Sequence, residues 1–151
     1  MLGNSKELMN ISKMLKLLKL LRLFKIIKER KNLVDFMRRL VDFSVTFELL
    51  FFFSLTFVIL VHTCSCFWIF VARYNQGNDQ INWIDVKEIN DESVTHIYIL
   101  AVYFCITTIT TVGYGDVSGF SSVERLFCIF LMLLGVISFS FATGFLSQLL
   151  N

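Results

Sequence analysis

Apolar and polar positions fall in blocks along this chain, and each block predicts a different element. In residues 11–31 the basic residues Lys13, Lys16, Lys19, Arg22, Lys25, Lys28 and Lys31 recur at every third position, and the pairs between them are apolar up to Ile26-Ile27. Residues 32–42 place Leu33, Phe36, Met37 and Leu40 on one face and Asp35, Arg38, Arg39 and Asp42 largely elsewhere, the spacing of a short amphipathic helix. Residues 43–73 are an apolar run longer than the ~20 residues that cross hydrocarbon, which predicts a tilted or extended spanning helix. Residues 74–95 are rich in Asn, Asp, Gly and Gln and predict a long polar connection. Apolar character resumes at 96–110, where Ser93 or Thr95 can cap a helix too short to span at ~1.5 Å per residue. Glycines interrupt the pattern at 111–116, and 117–121 reads as a loop. Residues 122–151 form a second membrane-length helix, with Ser121 or Ser122 as its cap and Glu124 in the first turn, where a carboxylate suits the dipole. The fold class is an all-α membrane protein.

Composition strengthens the membrane reading. Of 151 residues, 56% are hydrophobic, Phe numbers 17 and Pro is absent; mean hydropathy is +0.68. A soluble domain of this size must keep far more of its surface polar. The net charge is only +2, but all but three of the 14 Lys and Arg precede residue 43. Residues 74–95 carry Asp79, Asp85, Glu88, Asp91 and Glu92 against Lys87 alone. Basic segments stay on the cytoplasmic side, so the N-terminal end is expected inside and the acidic loop outside. That loop either raises the local cation concentration or is simply solvated. Cys64, Cys66, Cys105 and Cys128 all lie in apolar stretches and are expected as buried thiols. The first residues do not read as a signal peptide. Asn10-Ile11-Ser12 matches a glycosylation sequon that a cytoplasm-facing position leaves unused. His62 and His96 lie far apart with no nucleophile or ligand set near them, so no enzymatic constellation competes; a lone His62 is more simply a packed, hydrogen-bonded residue than a ligand.

The period of the basic repeat separates two readings. Three residues advance an α-helix by about 300°, so each charge lags the previous one by about 60° and the stripe winds around the helix. A helix lying on a membrane surface, the alternative, keeps its charges on one side. A winding stripe suits a helix that slides or turns past fixed counter-charges, and it resembles the fourth segment of voltage-gated channels. Residues 1–31 then represent the end of a sensor-type helix whose sensing charges are Lys13, Lys16, Lys19, Arg22, Lys25 and Lys28. Residues 32–42 would be a cytoplasmic linker helix that couples sensor to pore, or a plain connector. Nothing before residue 11 supplies the three helices that accompany such a segment, so either the chain is a piece of a longer protein or the basic helix has another role.

The most specific signal is Thr111-Val112-Gly113-Tyr114-Gly115-Asp116, set between the two membrane-length segments. A potassium ion crossing a bilayer must exchange its water for other oxygens, and rings of backbone carbonyls can supply them. For successive carbonyls to point one way the backbone must alternate between right- and left-handed regions, which glycine at alternate positions permits. Thr111 can add a hydroxyl oxygen, while Val112 and Tyr114 would pack behind the loop. The stretch resembles the selectivity filter of potassium channels, with potassium bound at Thr111, Val112, Gly113 and Tyr114.

That resemblance implies a pore module at 43–151: outer helix 43–73, turret 74–95, re-entrant pore helix 96–110, filter 111–116 and inner helix 122–151. The pore helix would aim its partly negative C-terminal end at the ion. His62-Thr63-Cys64-Ser65-Cys66 is similar, with departures at Thr63 and Ser65, to a stretch in the outer helix of ether-à-go-go, cyclic-nucleotide-gated and plant inward-rectifying channels. Tyr98, Tyr103-Phe104, Thr107-Thr108 and Thr110-Thr111 match the pore helix of the plant-type channels, with Phe104 where Trp is usual. Tyr103 and Phe104 would form a cuff around the filter, Asp116 would bond back to the pore helix, and Trp83 would be an interfacial anchor. Gly135 and Gly144 serve as hinge or as packing positions. By the same resemblance Phe139 and Thr143 line the inner cavity and Asn151 stands at the gate. The implied protein is a voltage-gated potassium channel subunit of the plasma membrane, multi-pass, assembled as a homo- or heterotetramer in the lipid bilayer. It needs no cofactor, potassium being its permeant substrate, and no nucleic acid. The alternative is a truncated pore fragment that regulates or silences heteromeric channels.

Overall fold

The computed structural model describes residues 45–150. The basic repeat Lys13–Lys28, the sequon, the linker helix 32–42 and the gate position Asn151 lie outside the described residues. The rest is helical: α1 Val45–Gly77, α2 Trp83–Val86, α3 Val94–Ile109 and α4 Ser122–Leu150.

The expected boundaries shift by a turn or less. The outer helix runs on past Arg73 to Gly77, where the Asn75 carbonyl accepts from Asn78 and Gln80, both at 3.0 Å. The short apolar helix starts at Val94 rather than 96, because the Ser93 hydroxyl takes the His96 N–H at 3.2 Å. Larger is the correction to the turret. It is not merely a solvated loop: Asn82 accepts from Ile84 and Asp85 and starts the short helix α2. Trp83 and Ile84 are driven inward to 0% and 1% exposure, so Trp83 is a core residue and not an interfacial anchor.

Each long helix buries one stripe. On α1 it is Val61, Cys64, Ser65, Trp68, Ala72 and Asn75; on α3, Ile97, Ala101, Phe104, Cys105 and Ile109; on α4, Glu124, Cys128, Leu131 and Gly135. These three- and four-residue steps are helical periodicity, and they pack α1, α3 and α4 against one another. Trp68 is the centre of the contact. Its ring stacks on Phe104 of α3 at 4.5 Å, on Phe127 of α4 at 5.6 Å and on Trp83 of α2 at 5.8 Å between centroids. Each such pair adds about 0.5–1.5 kcal/mol beyond its area burial.

Polar side chains inside the apolar helices satisfy themselves locally. Thr56, Thr63 and Ser65 donate to the carbonyl four residues back at 2.7–2.8 Å, which removes a donor that hydrocarbon would penalise. The segments Glu48–Gly77 (30 residues) and Ser122–Gly144 (23 residues) are long and apolar enough to cross a bilayer, yet only 28% and 17% of their apolar windows are buried within the chain. A soluble core helix hides most of such a surface. Here the remainder must meet lipid or other chains.

Candidate functional site

The site begins where α3 ends. Thr111, just past the helix, takes a left-handed conformation with φ +62°. Its N–H bonds the Thr108 carbonyl at 3.1 Å, and the next N–H, of Val112, reaches Thr107 at 2.9 Å. This pair is the Schellman termination, with a β-branched residue where glycine is usual. The strain, about 1–2 kcal/mol for an L-residue, is held by those two bonds. Sequence reasoning did not single out Thr111 for this, because the residue type carries no signal of a positive φ.

The inversion then recurs at every second position. Gly113 has φ +58° and Gly115 has φ +75°, while Val112 and Tyr114 between them stay on the ordinary side. An alternating sign of φ is what a row of carbonyls facing one way requires, and a row of backbone oxygens is a cation ligand. A Cβ at either glycine would meet nothing within 4 Å in the chain. Their role here is therefore conformational and not one of close packing.

The side chains around this backbone divide between two tasks. Tyr103 stacks on Tyr114, centroids 6.3 Å apart and planes within 3°. Phe104 stacks on Trp68, is 6% exposed, and also lines the groove that backs the loop. Val112 and Tyr114 remain 54% and 71% exposed, two large apolar side chains on one short loop. Behind the loop lies a groove of about 570 Å³, walled by Thr107, Thr108, Cys128, Met132 and Val136, with Arg125 also on its lining.

The remaining predicted residues fall as follows. Gly135 is buried against the end of α3: a Cβ there would come within 2.9 Å of the Ile109 carbonyl oxygen. The absent side chain lets α4 approach the base of the site. Gly144 has open space around it. Phe139 and Thr143 share an exposed face of α4, and the Thr143 hydroxyl donates back to the Phe139 carbonyl at 3.1 Å. His62 is hydrogen-bonded through Nδ1 to the Tyr98 hydroxyl at 2.7 Å, joining α1 to α3. Cys64, Cys105 and Cys128 are buried free thiols, and Cys66 is half-buried. Among the described residues no three His, Cys, Asp or Glu form a metal-ligand group.

One residue counted for more than the sequence reading allowed. Glu124, expected only as a dipole partner, is fully buried and accepts from Trp83, Phe120 and Ser121. The capping-box spacing Ser121-x-x-Glu124 carried part of that signal; the bond to Trp83 had none.

Residues 49–151 match a family model described as an ion channel. The chain is similar to the potassium channel AKT1 of Arabidopsis thaliana, 40% identical over 75 residues, covering 48% of this chain and 9% of that protein. It is similar to the potassium channel KAT6 of Oryza sativa subsp. japonica, 35% identical over 91 residues, covering 59% of this chain and 15% of the relative. It also resembles the voltage-gated inwardly rectifying potassium channel KCNH7 of Mus musculus, 28% identical over 109 residues, covering 63% of this chain and 9% of the relative. The chain thus spans a small part of the length of the relatives it matches.

Proposed function

The chain belongs to the ion channel family, a family of membrane proteins that are not enzymes, and from that premise we propose that it is a subunit of a potassium-selective, voltage-gated channel. The observation that carries the proposal is the alternating φ at Thr111, Gly113 and Gly115 within Thr111–Asp116. In this reading the carbonyls of Thr111, Val112, Gly113 and Tyr114 replace the water of a potassium ion. One loop supplies a quarter of the ligands, so four chains surround the ion. The exposed Val112 and Tyr114, and the largely uncovered faces of α1 and α4, are the surfaces such an assembly and the bilayer would cover. The printed names of the relatives support potassium as the ion.

Voltage dependence rests on the winding repeat Lys13, Lys16, Lys19, Arg22, Lys25 and Lys28. A charge crossing the membrane potential exchanges about 2.3 kcal/mol per 100 mV, so a few of these suffice to bias a pore. In this reading the acidic turret faces outward and the basic end inward, and the subunit is multi-pass and belongs to the plasma membrane. The test is a reversal potential. With the protein expressed in a cell membrane, replacing external potassium by sodium should move the reversal potential with the potassium equilibrium potential; a reversal potential indifferent to that exchange overturns the reading.

A further inference from the structure

Glu124 is the only fully buried charged side chain among the described residues. Its Oε2 accepts the N–H groups of Phe120 at 2.9 Å and Ser121 at 3.3 Å, and its Oε1 accepts that of Trp83 at 3.2 Å. An ionised carboxylate is an acceptor on both oxygens, which suits three converging donors. The Ser121 hydroxyl answers by accepting from the Glu124 N–H at 3.1 Å and takes the Asn75 amide of α1 at 2.6 Å. Gly119 lies flat on the same turn: a Cβ there would stand 3.1 Å from the Arg125 nitrogen and 3.2 Å from the Glu124 Cβ. Capping α4 needs only the reciprocal Ser121–Glu124 bonds. The bond to Trp83 is additional, and Trp83 is itself stacked on Trp68. The connection leaving Asp116 is thereby fastened at Gly119, Phe120 and Ser121 to α4, to α2 and through Asn75 to α1.

We propose that Glu124 is a positioning residue for the outer end of the filter. It holds the Asp116–Ser121 connection where the alternating backbone of Thr111–Gly115 keeps its ion-binding form. The proposal rests on the potassium-channel reading above. Its consequence follows from mass action. Ions that bind only the ordered form stabilise that form in proportion to their concentration, so a loosened connection costs conduction most when outside potassium is scarce.

The experiment uses the full protein and records the decay of current during sustained opening, in potassium-poor and potassium-rich external solution. In Glu124→Gln an amide that cannot accept replaces one carboxylate oxygen. Loss of a charged hydrogen bond should speed decay about tenfold in the potassium-poor solution, with native decay restored in the potassium-rich one. Native decay in both solutions overturns the proposal. So does a smaller current of unchanged decay, because that is what a capping defect alone produces. If Glu124→Gln does not reach the membrane, Gly119→Ala decides. It leaves the carboxylate in place but pushes the connection off the turn, and it should speed decay in the same potassium-dependent way; unchanged decay there is equally fatal. Native channels whose reversal potential ignores potassium would refute the channel reading itself, an outcome distinct from either variant behaving like native.

Discussion

The loop Thr111–Asp116, which follows α3, and the junction around Trp68 are built in opposite ways. At the junction Trp68, Trp83 and Phe104 are buried and Phe127 partly so, three aromatic rings stack on a fourth, and a carboxylate has three donors. In the loop the side chains of Val112 and Tyr114 are mostly exposed, three of five consecutive residues have positive φ, and the bonds that hold it at the α3 end come from Thr107 and Thr108. The chain's own stability is concentrated behind the site, while the site keeps its strain and its oxygens unspent. That division is expected where an unusual backbone must persist: the surroundings over-determine it. It also separates what damages folding from what damages function.

Trp68→Ala should break the comparison from the junction side. Removing a buried Trp that stacks on three helices is expected to cost about 3–5 kcal/mol, read as a large drop in melting temperature in detergent with loss of assembled protein. Gly135→Ala comes next. Its new methyl meets the backbone of Ile109, which cannot swing aside, and overpacking of that kind costs about 1–3 kcal/mol. Gly144→Ala, with open space around it, should stay within about 1 kcal/mol of native or gain slightly from helix propensity. Equal melting temperatures for the two alanine variants would contradict the close approach of α4 to α3. Gly113→Ala should cost about 1–2 kcal/mol for a left-handed Ala, and it should sharpen the contrast most. Assembled protein should survive while potassium current is lost, because the loop then resists the required φ. Selective current from assembled Gly113→Ala protein would sink the conformational account of the loop.

The membrane-length helices were plain from hydropathy, and α3 from its length and the cap at Ser93. Helix ends were read to within a turn, since local caps decide them. The turret was misread because its polar composition masked two residues, Trp83 and Ile84, whose burial depends on a partner elsewhere. Phe104, assigned to the site by resemblance, stacks on Trp68 and also lines the groove behind the loop.

By itself, then, the sequence determined the three longer described helices and the sites of the glycines. These depend on short-range causes: helical period, capping side chains, and the freedom of glycine at positive φ. Tertiary structure alone decided that Phe104 stacks on Trp68, that Gly135 admits Ile109, and that Glu124 ties Trp83 to the start of α4. Each of these depends on where one helix comes to rest against another. Trp83 and Glu124 stand 41 positions apart, and no local pattern in either stretch specifies the other.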